Sequence, residues 1–112
     1  MMEYSLDSRE DAIVVAVDGR VDEASWEAFG AGLSEAIEKA LQSDLRHVII
    51  DLAELDYMSS RGLRVLTVAK RQGEEANLTV SLACPNDVMR EILAISRYDK
   101  LFAITETVEA AR

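Results

Sequence analysis

Ser59 and Ser60 are the residues best placed to do chemistry, because two adjacent hydroxyls stand where an apolar run gives way to a helical period. Residues 47–52 are apolar and β-branched over a length too short for a helix, whereas Leu63, Leu66 and Ala69 recur at helical spacing from Gly62 onward. The residues between read as a short loop ending in the two serines, and one of the pair is the expected N-cap. A hydroxyl there accepts a hydrogen bond from first-turn N–H groups, and the positive end of the helix dipole favours added negative charge. A phosphoserine would suit the position. A serine pair before a helix is equally what capping alone selects, with no modification.

Positive charge collects beside these hydroxyls. Arg61, Arg64, Lys70 and Arg71 fall on one expected helix of a chain whose formal net charge is −9. Arg64 lies four residues after Ser60, within reach of a phosphate there. Lys70 and Arg71 read as a solvated face, while Arg61 and Arg64 are candidate partner contacts. A phosphoryl group of about −1.5 to −2 charge at Ser60 would weaken their attraction for acidic partners. Met58 and Leu63 read first as core, with Met58 kept as a candidate contact.

Other reactive residues point away from catalysis. His47 is the only histidine and has no serine or cysteine beside it in sequence to activate; there is no nucleophile-elbow pattern and no Walker-type glycine loop. Asp51, Glu54 and Asp56 lack the spacing of a calcium loop, and no His/Cys cluster has metal-ligand spacing. Cys84 is the lone cysteine, ends an apolar run and precedes Pro85; it is expected to be buried and inert. No cofactor, metal or enzymatic activity is expected.

The elements that must position Ser60 alternate in type. Residues 3–8 and 12–17 read as two strands joined by the polar turn 9–11, forming an antiparallel hairpin. Residues 22–25 offer capping oxygens to a helix reaching about Gln42, with Trp26, Phe29, Leu33, Ile37 and Leu41 on one face and a Glu35–Lys39 pair on the other. After the central strand, Gly73 is expected to end the serine-capped helix. A strand over 78–83 follows, then a helix capped by Asn86 or Asp87 with Val88, Ile92 and Ile95 inward, a short strand over 102–105, and a brief helical tail. This order predicts a single α/β domain over residues 1–112, a mixed and mostly parallel sheet of about five strands with helices packed against it. Loops leaving the carboxyl ends of such strands share one rim, here 18–22, 54–60 and 84–87.

Taken in order, Val48-Ile49-Ile50, Asp51-Leu52, Leu55-Asp56-Tyr57-Met58, Ser59-Ser60 and Gly62-Leu63 resemble the signature of the anti-sigma factor antagonist family, the STAS domain. Gly19-Arg20-Val21-Asp22 resembles that family's second marker, so the resemblance covers nearly the whole chain. It implies the same fold. It further implies that a serine protein kinase, itself an anti-sigma factor, binds the unmodified protein and phosphorylates Ser60, which ends the binding until a serine phosphatase restores it. Asp22, Asp56, Met58, Ser59, Ser60, Arg61 and Arg64 are then the candidate partner-binding residues. Two positions depart from the common pattern: Ser59 replaces an aspartate, and Arg61 replaces a small residue, changing bulk and charge where a partner would dock. A non-switching scaffold subunit in a signalling or transporter assembly, and a nucleotide-binding domain or small enzyme on the acidic rim, are the readings from other classes.

Bulk properties exclude some classes of partner and leave a protein partner open. A chain of 112 residues can bury one core. The −9 charge argues against nucleic acid, whose phosphates need Lys and Arg. No run of about 18 apolar residues offers a membrane span, and residues 1–11 carry acids where a secretory leader would be basic and apolar, so a cytoplasmic location is expected.

Overall fold

A computed structural model describes all residues, 1–112. The chain runs β1 (Met2–Arg9), β2 (Ala12–Val21), α1 (Trp26–Gln42), β3 (His47–Met58), α2 (Ser60–Glu75), β4 (Thr79–Ala83), α3 (Asp87–Ile95), a 3-10 turn (Tyr98–Lys100), β5 (Ile104–Thr105) and a last 3-10 turn (Glu109–Ala111). One sheet carries the strands in chain order, β1-β2-β3-β4-β5, with β1 antiparallel to β2 and every other pair parallel. This is the predicted mostly parallel sheet with an antiparallel N-terminal edge.

Alternation along β2 sorts the core. Ile13, Val15 and Val17 meet Phe29 and Leu33 of α1, Leu66 of α2 and Leu93 of α3 in the main cluster. Ala12 and Val14 point the other way, joining Ile49, Ala83 and the tail residue Val108 in a smaller one. A strand covered on both faces is expected to be apolar throughout, as residues 12–17 are.

Several expectations about element limits are corrected. Residues 54–58 are not a loop: β3 continues beside β2 as far as the Val21↔Met58 pair, across two register shifts, because Leu55 and Met58 still have core to fill. Gly73 does not end α2. It lies inside the helix, where a β-carbon would stand 2.5 Å from Val80 Cγ2, so it serves close helix–strand packing. The helix stops two residues later, and Asn77 turns the chain at φ 63°. Residues 22–25 place no capping hydroxyl or carboxylate on α1.

Helix phase also differs at α3. Val88 and Ile95 are 51% and 76% exposed, while Met89 and Leu93 pack into the main core, one residue later than apolar spacing suggested, with Asn86 anchoring the helix start on Leu55 O. Leu41 of α1 is likewise exposed, its place taken inward by Ala36 and Ala40. Glu35 accepts a hydrogen bond from Tyr4 Oη at 2.9 Å instead of pairing with Lys39, which ties α1 to the edge strand. Phe102 packs into the core ahead of β5 and is not part of that strand.

Candidate partner-binding site

The site is built where β2 and β3 end side by side. Ser59 follows β3 directly, and its N–H donates to Val21 O at 2.8 Å, so the end of β2 holds the start of α2. Ser59 is the N-cap: with extended backbone (φ −77°, ψ 173°), its Oγ accepts from Gly62 N at 3.3 Å, and its carbonyl accepts from Leu63 N at 3.0 Å. Gly62 sits so close to β2 and β3 that a β-carbon would lie 2.7 Å from Val21 Cγ1 and 2.5 Å from Met58 Cγ. Ser60, the first helical residue, is exposed. Its hydroxyl is not needed for the cap that Ser59 already makes.

Asp22 closes the β2–α1 turn beside this start. Its Oδ1 accepts from Ala24 N and from the Ser25 hydroxyl, both at 3.1 Å. The Ser25 hydroxyl foremost, with lesser help from the Ala24 N–H and nearby positive charge, holds the Asp22 carboxyl below the usual carboxylate range against opposing desolvation. Ser25 occupies the N-cap position of α1 but turns its hydroxyl back, sharing its one proton between Arg20 O at 2.7 Å and Asp22 Oδ1, and accepting from Asp22 N at 2.9 Å. The oxygens expected to cap a helix brace a turn instead.

Arginines decorate the same end. Arg61 stacks over the Trp26 ring at 5.2 Å and lies 3.6 Å from Glu23, so the first turn of α2 leans on the first turn of α1. Arg64, one turn on, is exposed and has no carboxylate within ion-pair distance. Arg20 covers Tyr57 at 4.6 Å, a cross-strand contact that sequence spacing did not reveal because register alone pairs Arg20 with Tyr57. Asn86 braces the rim from the next crossover, donating through Nδ2 to Leu55 O at 2.8 Å and accepting from Met89 N at 2.9 Å.

The structure therefore brings Asp22, Ser59, Ser60 and Arg61 together, with Arg64 one turn away and Asp56 exposed on β3. Met58 is corrected from candidate contact to core: it is 2% exposed and supports Gly62 from below. Cys84 is half-buried at φ 59°, and burial, then Asp51, push its thiol up. His47 opens β3, its Nε2 3.4 Å from Asp11. No three His, Cys, Asp or Glu side chains converge as a metal site, and no helix is long and apolar enough to cross a membrane.

A mostly parallel sheet whose central strand leads into a serine-capped helix is an α/β domain, and comparison with known proteins places it. Residues 3–111 match the model of the STAS domain, and the chain belongs to that family. It is 29% identical over 110 residues to a Bordetella bronchiseptica protein named as an anti-sigma factor antagonist, BtrV, covering 98% of this chain and 91% of that one. A STAS-domain containing protein of Pseudomonas aeruginosa is 30% identical over 101 residues, covering 90% and 93%. Among solved structures, the anti-sigma factor antagonist SpoIIAA in its unphosphorylated form superposes with a TM-score of 0.76 at 22% identity, covering 97% of this chain and 92% of that one. The phosphorylated form of SpoIIAA, a Bacillus cell fate determinant, gives 0.68 at 23% identity, covering 97% and 96%.

Proposed function

We propose that this chain is a cytoplasmic anti-sigma factor antagonist that binds an anti-sigma factor with serine kinase activity while Ser60 is unmodified, and that phosphorylation of Ser60 ends the binding. The observation that carries this reading is the division of labour between the two serines: Ser59 makes the cap, leaving the Ser60 hydroxyl exposed on the same helix start. The name borne by BtrV, and the existence of SpoIIAA in phosphorylated and unphosphorylated forms, support it.

The docking surface is the rim of Asp22, Asp56, Ser59 and Ser60 with Arg61 and Arg64 beside it. A phosphate at Ser60 needs no refolding, because the residue is already at the surface and the helix dipole stabilises the added charge. Its effect falls on the partner: about two negative charges cancel the pull of the neighbouring arginines on acidic groups and add a desolvation cost to the interface. A serine phosphatase would return the protein to its binding form.

The test is recovery of the protein with its partners from its native cells, followed by site-localised mass spectrometry of bound and unbound pools. Phosphate on Ser60 in the unbound pool alone, with a kinase-like partner held by wild type and Ser60→Ala but lost by Ser60→Asp, is the expected result. A constant partner held equally by both variants, with Ser60 bare under all growth conditions, would favour the scaffold reading.

A further inference from the structure

Between α1 and α2 lies a groove of about 430 Å³, within the usual size range of small-molecule sites. Its walls are Trp26, Leu33, Val65 and Val68, and its only charged lining residues are Arg61 and Arg64. In a chain of net charge −9, a cleft whose charges are both positive is selective for an anion. The two arginines are three residues apart on one helix face, the spacing that lets two guanidiniums converge on one oxyanion.

Gly30 supplies an independent sign that the space is kept open. It sits in the interior of α1, where glycine costs about 1 kcal/mol against alanine. Neither backbone nor packing demands it: its φ is not positive, and an added β-carbon would meet only Val65, at an ordinary 3.7 Å. Gly32 on the same helix differs, being pressed at 3.0 Å by the Tyr4 ring. What Gly30 contributes is room in the groove, opposite Val65.

We infer that this groove binds a small amphipathic carboxylate, its apolar body lying between Trp26 and Val68 and its carboxylate held by Arg64 and by Arg61. On binding, Arg61 exchanges Glu23 for the ligand carboxylate while the Trp26 ring becomes part of the apolar wall. The inference shares Arg61 and Arg64 with the proposed docking surface but does not depend on modification of Ser60, so octanoate binding can fail or succeed independently of the phosphorylation test.

The test uses the intact protein with sodium octanoate as probe and octan-1-ol as the uncharged control of equal chain length. Trp26 is the only tryptophan, so its fluorescence reports occupancy of the groove, and calorimetry gives the affinity independently. Octanoate is expected to give a saturable change at one site per chain, with octan-1-ol and the Arg64→Ala variant each binding about ten-fold more weakly or worse. Gly30→Leu, which fills the groove, is expected to abolish binding with its thermal unfolding midpoint kept or raised; Gly30→Ala, a milder filling, weakens it. The proposal is overturned if octanoate gives no saturable signal, if octan-1-ol binds as tightly, or if both Gly30 variants bind like wild type. It also falls if octanoate is inert while a protein partner alone alters Trp26 emission, because the groove would then belong to the protein interface.

Discussion

Met58 lies directly beneath Gly62, so close that a β-carbon on the glycine would stand 2.5 Å from the methionine Cγ. The last residue of β3 thereby sets how near the first turn of α2 approaches the sheet, and so where Ser60 emerges. Gly62→Ala gains helix propensity of about 1 kcal/mol but must push both Met58 and the stiff β-branched Val21. A net loss of about 1–2 kcal/mol in urea unfolding is expected. Unchanged stability would show that the strand ends yield freely.

The two serines should separate stability from binding. Ser59→Ala loses the cap to Gly62 N and is expected to cost about 1 kcal/mol in thermal or urea unfolding. Ser60→Ala should stay within about 0.5 kcal/mol of wild type. Ser60→Asp, with an acid in the first helical turn, should be unchanged or more stable by about 0.3–1 kcal/mol while losing the partner. Loss of cooperative unfolding in Ser60→Asp would assign the binding defect to misfolding.

Asp22 should leave a mark on the acid limb of stability. Its folded carboxyl titrates below the ordinary aspartate value, chiefly through the Ser25 hydroxyl. The folded state therefore holds fewer protons than the unfolded one between the two values. The contribution is fully present above the unfolded value of about 4 and is lost as pH falls through the lower folded one. Carboxyl-carbon NMR titration should find Asp22 depressed, and Ser25→Ala should move it upward; no movement would assign the depression to the Ala24 N–H and nearby positive charge instead.

Asn86 joins the cap of α3 to the carbonyl of Leu55 with one side chain. Asn86→Ala is expected to cost about 2 kcal/mol, the sum of a cap and a second hydrogen bond. Hydrogen exchange should show α3 opening more readily, with β1 unaffected. Uniform loosening would mean that the residue acts on the whole sheet.

Cys84 should react slowly with iodoacetamide at neutral pH, since burial and Asp51 both disfavour its thiolate. Asp51→Asn should speed the reaction modestly, and urea should speed it far more. A folded protein that reacts like free cysteine would contradict this account.

The sequence by itself determined the order and kind of the elements, because apolar period is a local property: residues 12–17 read as a β-branched strand, and the residues between the polar stretch 22–25 and Gln42 as an amphipathic helix. It also singled out Ser59 and Ser60, since capping chemistry depends on neighbours within one turn. It did not decide which serine capped the helix, where β3 stopped or which face of α3 turned inward. Those were settled by contacts between distant residues: Val21 O claiming the Ser59 N–H, the β2–β3 register carrying the strand to Met58, and the packing of Met89 and Leu93 into the main core with Asn86 anchored on Leu55 O. Arg61 meeting Trp26, and Gly30 facing Val65, belong to the same kind. Local spacing records which face a side chain is on; only the packed structure decides what stands opposite it.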